Sequence, residues 1–174
     1  MFSDLGALSP LDGRYYSSAK ELNAYFSEAA LMQYRIYVEV EYLLALAKQK
    51  EIRKRLLIDD KEQSKLRKLY QSFDLNVAKE IKEIEKKINH DVKAIEYYIQ
   101  DKTRSSLHPW IHFALTSEDV NNISYSLMWK HALEKVYLPS ALSLQRKLLD
   151  LIREHRKSPM LSLTHGQPAT PTTF

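Results

Sequence analysis

Between the first loop-like residues and about His155, apolar side chains recur at three- and four-residue steps, the period of an α-helix. Ser27 is placed to cap a helix beginning at Glu28, and Leu31, Tyr34, Val38, Tyr42 and Ala45 then mark one face of it. Asp59 and Asp60 open another helix with acidic groups at the positive end of its dipole. Val77, Ile81, Ile84 and Ile88 form a clean stripe on the next, and a short helix follows over about Val92–Lys102. The polar stretch Thr103–Ser106 breaks the pattern. From Ser117 to about His155 runs one long helical pattern, capped by Thr116 or Ser117, with Glu118 and Asp119 in its first turn. Its apolar runs are Val120, Ile123 and Leu127, then Leu144, Leu148 and Leu151. Pro139 lies between them; it has no N–H for the carbonyl of residue 135, which predicts a kink there. The first 18 residues and the stretch from Ser158 to Phe174, with Pro159, Gly166, Pro168 and Pro171, read as loops. No strand alternation and no internal repeat appears.

The pattern predicts an all-α fold: a compact N-terminal group of short helices in a domain over 1–111, then the start of a central helical-bundle domain over 112–174, opened by the long kinked helix and left incomplete. An amphipathic helix well beyond the usual ~11–12 residues cannot bury its own stripe.

Composition narrows the function classes. The chain has 174 residues, 44% of them hydrophobic, enough for one domain with a real core. Its 3 glycines leave no room for a P-loop or a GxGxxG turn, and the absence of cysteine removes disulfides, thiolate metal sites and a Cys nucleophile. The net charge of +4 is spread, and Lys79–Lys87 alternates in sign like a solvated helix face. No single-signed, aromatic-laced stripe points to nucleic acid. No apolar run approaches the ~20 residues of a membrane span. Met1–Leu5 lacks the basic and apolar regions of a leader, so a cytoplasmic protein is expected.

Four polar clusters sit where core packing does not explain them. In Ser9–Tyr15, Arg14 offers a forked cation and Tyr15 a hydroxyl, a pair suited to phosphate or carboxylate, although a surface turn would look the same. Asn89, His90 and Asp91 gather an amide, an imidazole and a carboxylate at a helix junction; the bland alternative makes Asp91 an N-cap. Thr116 and Ser117 put two hydroxyls at a helix N-terminus, which suits an anion or mere capping. In Thr164-His165-Gly166-Gln167 a loop histidine, the side chain best matched to proton transfer near neutral pH, is flanked by groups that could orient it. His108 and His112 have metal-like spacing but no evident third ligand, and no metal site is expected; His131 and His155 read as helix-surface residues.

The joint occurrence of these clusters in this order resembles the adenylosuccinate lyase family of bacteria, within the fumarase/aspartase superfamily. The match runs through Ser9–Tyr15, Phe26-Ser27-Glu28, Val38-Glu39, Asn89–Glu96, Ile111–Asn122 and Thr164–Pro171. The resemblance implies a β-elimination that cleaves a C–N bond and releases fumarate. Its substrates would be adenylosuccinate, giving AMP, and succinyl-aminoimidazole-carboxamide ribonucleotide, giving its carboxamide product, with no cofactor and no metal. His165 matches the family's general acid. Arg14 and Tyr15 match residues that hold the nucleotide, Asn89, His90 and Asp91 a substrate-binding triplet, Thr116 and Ser117 donors to the succinyl portion, and Gln167 a residue that orients His165 or substrate. The resemblance also implies a homotetramer with active sites shared between subunits, and a catalytic serine on a loop beyond Phe174. On that reading this is an N-terminal portion and not a complete enzyme.

Overall fold

The computed structural model describes residues 8–173; the leader reading of Met1–Leu5 lies outside them. Two short helices, α1 (Tyr16–Ala19) and α2 (Asn23–Phe26), are joined by a 3₁₀ turn and lead into the long α3 (Glu28–Leu46). Then come α4 (Asp60–Gln71), α5 (Leu75–Ile88), α6 (Asp91–Asp101), a 3₁₀ segment (Ser105–Trp110) and α7 (Ser117–Ala132). A π-helical turn (Leu133–Tyr137), α8 (Leu138–His155) and two strands, β1 (Pro159–Thr164) and β2 (Gln167–Thr173), complete the chain. The predominance of helix matches the all-α expectation. Contacts divide the molecule into two units, 1–132 and 133–174.

Caps set the helix starts in the first unit. The Ser27 hydroxyl accepts the Ala30 N–H at 3.1 Å, as the sequence predicts, and Asp59, expected only as an acidic group at the helix start, caps α4 by accepting the Glu62 N–H at 2.7 Å. Asp74 does the same for α5, accepting from Asn76 and Val77.

Helix α3 is the hub, packed against α2, α4, α5, α6 and α7. Its main core face is Met32, Ile36, Val40 and Leu43, which meet Leu66, Ile81, Ile95, Ile99 and Leu107. The predicted stripe lies on a different side. Of its members Val38 alone is buried; Leu31, Tyr34 and Tyr42 are half-buried and Ala45 is exposed. A helix covered from several directions has no single apolar face, so one stripe under-describes it. That second side of α3 forms a seam with α6 and α7, where Val38, Val92 and Val120 make a separate apolar knot. The knot brings the N-termini of α6 and α7 to the same flank of α3.

On α7 the buried line is Val120, Ser124, Met128 and Ala132. Ile123, expected in the apolar run, is 49% exposed. The buried line steps by four residues, and Ile123 falls off it. His131 is not a free surface residue: its Nδ1 lies 2.7 Å from the Tyr34 hydroxyl, and the two rings stack at 5.6 Å.

The second unit departs from expectation in its last stretch, and has its helical irregularity beside Pro139. Pro139 is the second residue of α8, directly after the π turn, and Tyr137 before it is already in the right-handed helical region. The irregularity is the wider π turn just before it, which removes the clash a proline imposes within a regular α-helix. Residues 159–173, read as loop, form an antiparallel hairpin with a bulge between Leu161 and Leu163. Its two-residue turn is His165-Gly166, at φ 51° and 76°. Left-handed values at both central positions define a type I′ turn, whose twist matches paired strands. Prolines are tolerated because a two-stranded ribbon has unpaired backbone on both outer edges. No described residue in this unit is buried.

Candidate functional site

Four residues of α3 at i, i+3, i+4 and i+7, Arg35, Val38, Glu39 and Tyr42, share one face toward the starts of α6 and α7 and the turn before α7. Arg35 is 5% exposed. Its Nη2 donates to Asp91 Oδ2 at 2.7 Å and its Nε to Asn121 Oδ1 at 3.0 Å, tying the starts of α6 and α7 together. Glu39 is 2% exposed. Its Oε2 accepts the His112 backbone N–H at 3.1 Å, and its Oε1 lies 2.5 Å from His112 Nδ1. The Tyr42 hydroxyl donates to the Phe113 carbonyl at 2.9 Å. The sequence reading missed Arg35 and Glu39 as members of the site. The one weak signal was that Arg35 and Glu39 lie among the apolar positions of α3, four residues apart, but Glu41 and Glu28 on the same helix blur it.

The α5–α6 corner is built by Asn89 and His90. Asn89 ends α5 in the left-handed conformation, φ 54°, which asparagine tolerates well. His90, not Asp91, is the N-cap of α6: its Nδ1 accepts the Lys93 N–H at 3.2 Å. A backbone N–H can only donate, so Nδ1 is the bare nitrogen and the ring proton sits on Nε2. His90 thus presents an N–H donor outward. Asp91 spends one oxygen on the Val92 N–H at 2.8 Å and the other on Arg35, yet its side chain stays 52% exposed. Partial burial pushes its carboxyl up, but the Val92 N–H and the Arg35 charge outweigh this and hold it below its ordinary value.

Around His112 lies a second buried network. Its Nε2 is 3.8 Å from Glu96 Oε1, and Lys93 Nζ donates to Glu96 Oε2 at 2.6 Å. Burial pushes the Glu39 carboxyl up, while the contacts from His112 pull the other way. The Glu96 contact raises Lys93. His112 and Ala114 both have φ 59°, a left-handed pair immediately before α7.

At the start of α7 the Thr116 hydroxyl donates to Asp119 Oδ2 at 2.8 Å, and the Thr116 N–H does so at 2.7 Å. These bonds outweigh the small loss of hydration and depress Asp119. The Thr116 hydroxyl is therefore committed as a donor, whereas the Ser117 hydroxyl makes no hydrogen bond among the described residues. Arg14 and Tyr15 lie on the N-terminal segment with the guanidinium 5.5 Å from the ring centroid. Among the described residues no hydrogen bond, ion pair or ring contact joins them to the Asn89–Asp91 or Thr116–Ser117 groups.

His165 and Gln167 belong to the second unit, either side of Gly166 at the hairpin turn, and both are exposed. His165 has no hydrogen-bonding partner among the described residues; neither Thr164 nor Gln167 holds it here. Among the described residues no group of three His, Cys, Asp or Glu side chains could hold a metal, and no helix is long and apolar enough to cross a membrane.

A family model described as lyase matches residues 13–174. Adenylosuccinate lyase of Legionella pneumophila is 45% identical over 98% of this chain and 38% of its own length. The Dictyostelium discoideum enzyme of the same name is 41% identical over 98% of this chain and 38% of its length. That of Escherichia coli is 43% identical over 99% and 39%. The chain thus spans well under half the length of these relatives. Among solved structures, β-carboxy-cis,cis-muconate cycloisomerase from Acinetobacter calcoaceticus shares the fold, with a TM-score of 0.63, 18% identity, and coverage of 88% of this chain and 35% of that one.

Proposed function

This chain belongs to the lyase family, and on that premise we propose that the full-length protein, one as long as its relatives, is an adenylosuccinate lyase of purine nucleotide synthesis. A base removes a proton from the carbon beside a succinyl carboxylate. The electron pair becomes the C=C bond of fumarate, the C–N bond breaks, and an acid protonates the departing nitrogen. Charge gathers on the carboxylate in the transition state, so donors preorganised around it lower the barrier. The same steps serve adenylosuccinate and succinyl-aminoimidazole-carboxamide ribonucleotide.

The observation that carries this assignment is the contrast between two histidines. His90 is locked as a helix cap with a bare Nδ1, which suits it to donate a hydrogen bond to a substrate oxygen. His165 is exposed at a turn with both ring nitrogens uncommitted, which suits it to deliver the proton. Asn89, Asp91 and the Ser117 hydroxyl contact the substrate alongside His90, and Thr116 donates to the succinyl portion once its hydroxyl leaves Asp119. Arg14 and Tyr15 hold the nucleotide phosphate, and Gln167 orients His165 once substrate is bound. The boundary between an N-terminal helical domain and the central bundle, at 111/112, belongs to this reading, as do a catalytic serine supplied beyond Phe174, a homotetramer with shared sites, and a cytoplasmic location.

The test is fumarate release by the purified full-length protein from each succinyl compound. Turnover of both is expected. Failure to release fumarate from either overturns the proposal.

A further inference from the structure

Glu39 is a buried carboxylate that the elimination does not use. It lies in the interior of a helix, where a charged side chain is expensive unless its partners repay the loss of water. Both of its oxygens go to one residue, His112. That residue is held in the left-handed region at φ 59°, and Ala114 two positions on repeats the value. Neither is glycine, so the turn costs energy that surrounding contacts must supply. Those contacts come from α3: Glu39 grips His112, and the Tyr42 hydroxyl grips the Phe113 carbonyl. The turn ends at Thr116 and Ser117, and its position fixes where the first turn of α7 presents its donors.

The two Glu39 contacts differ in what they specify. The backbone bond asks for any acceptor. The ring contact asks for an acceptor facing Nδ1, which places a proton there and leaves Nε2 turned toward Glu96. From this geometry we infer that Glu39 is a positioning residue for the lyase reaction, setting the tautomer and orientation of the His112 ring and, through it, the turn that presents Thr116 and Ser117. The inference rests on the lyase reading of the site.

Glu39→Gln separates the two contacts. The amide carbonyl can still accept the His112 backbone N–H, but the NH₂ then faces Nδ1 and forces the ring proton to Nε2. In the full-length protein this variant should keep its melting temperature within a few degrees and lose about 10²-fold in kcat/KM, the scale expected when a supporting contact shifts a reacting geometry. In a His112→Ala background the ring is gone, so adding Glu39→Gln should change kcat/KM less than twofold. Wild-type kcat/KM in the single variant, or a loss that simply multiplies that of His112→Ala, overturns the inference. A measurement independent of variant folding closes the case: ¹⁵N-histidine spectra of the wild-type protein should show His112 protonated at Nδ1, and a bare Nδ1 refutes the proposal. If the wild-type protein releases no fumarate, the lyase reading fails; if it does and Glu39→Gln is silent, only the role of Glu39 fails.

Discussion

Leu43 on α3 is 1% exposed, whereas Leu148 on α8 is 51% exposed, although the two helices are 19 and 18 residues long. Leu138, Leu142, Leu144, Leu149 and Ile152 share the exposure of Leu148. The first unit surrounds its central helix with five others; the second has a helix and a hairpin, and buries nothing. The lesson is that periodicity identifies a face but not its cover. An apolar stripe becomes core only when partners with their own stripes arrive. The division also sorts the chemistry: the polar groups of the first unit are cross-braced by buried ion pairs, while His165 stands on a local turn.

The largest expected effect tests that sorting. His165→Ala in the full-length protein should lower kcat by about 10²–10⁴-fold, the worth of one positioned proton donor, and shift the melting temperature by no more than a few degrees. Wild-type turnover in this variant, with loss in His90→Ala, would reverse the two histidine roles.

Next in size is the contrast between cores. Leu43→Ala in the 174-residue chain should cost about 2–5 kcal/mol in urea unfolding, for lost burial plus a cavity. Leu148→Ala should stay within about 0.5 kcal/mol, as exposed substitutions do. In the full-length protein the Leu148 change should become costly, because the proposed bundle covers it; a silent Leu148→Ala there would deny that cover.

These contrasts also mark what could be read from the chain alone. The Ser27 cap, the helix start at Asp59-Asp60 and the Val77–Ile88 stripe were legible because they depend on residues within one or two turns. The Arg35–Asp91 and Glu39–His112 pairs span 56 and 73 residues, and no local pattern announces them. The α3 core face was misplaced for a related reason, since a hub helix has more than one apolar side. The hairpin was missed because His-Gly is a weaker turn signal than Asn-Gly, and its strands contain prolines and no clean alternation. Of the candidate site, the residue types at helix starts were readable; their braces on α3 were not.

A pH experiment probes the brace on Asp91. Its carboxyl titrates below the ordinary 3.8 in the folded protein. Ionised Asp91 therefore stabilises the fold above the unfolded value, and that contribution fades as pH falls through the lower folded value. Wild type should exceed Asp91→Asn in stability by a constant margin at pH 7 and 5 and by a shrinking one at pH 3. A margin that grows on acidification would mean that Arg35 does not hold the carboxylate as described.

The smallest effect concerns Ser124, fully buried with its hydroxyl lacking a partner. Ser124→Ala should stabilise the first unit by about 1 kcal/mol, because an unmet buried hydroxyl carries a desolvation penalty. A loss of stability would reveal an unseen partner for that hydroxyl.

The reach of α3 has a consequence for how the chain is made. Tyr34 waits for His131, 97 residues later, to complete its hydrogen bond. At about 5–20 residues per second of synthesis, that interval is on the order of 5–20 s. For that time a nascent α3 lacks its last neighbour, α7, while Arg35 and Glu39 wait a shorter 56 and 73 residues for Asp91 and His112. The same charges that later brace the site keep the Val38 flank wet on the ribosome, and so guard an unfinished hub against premature association.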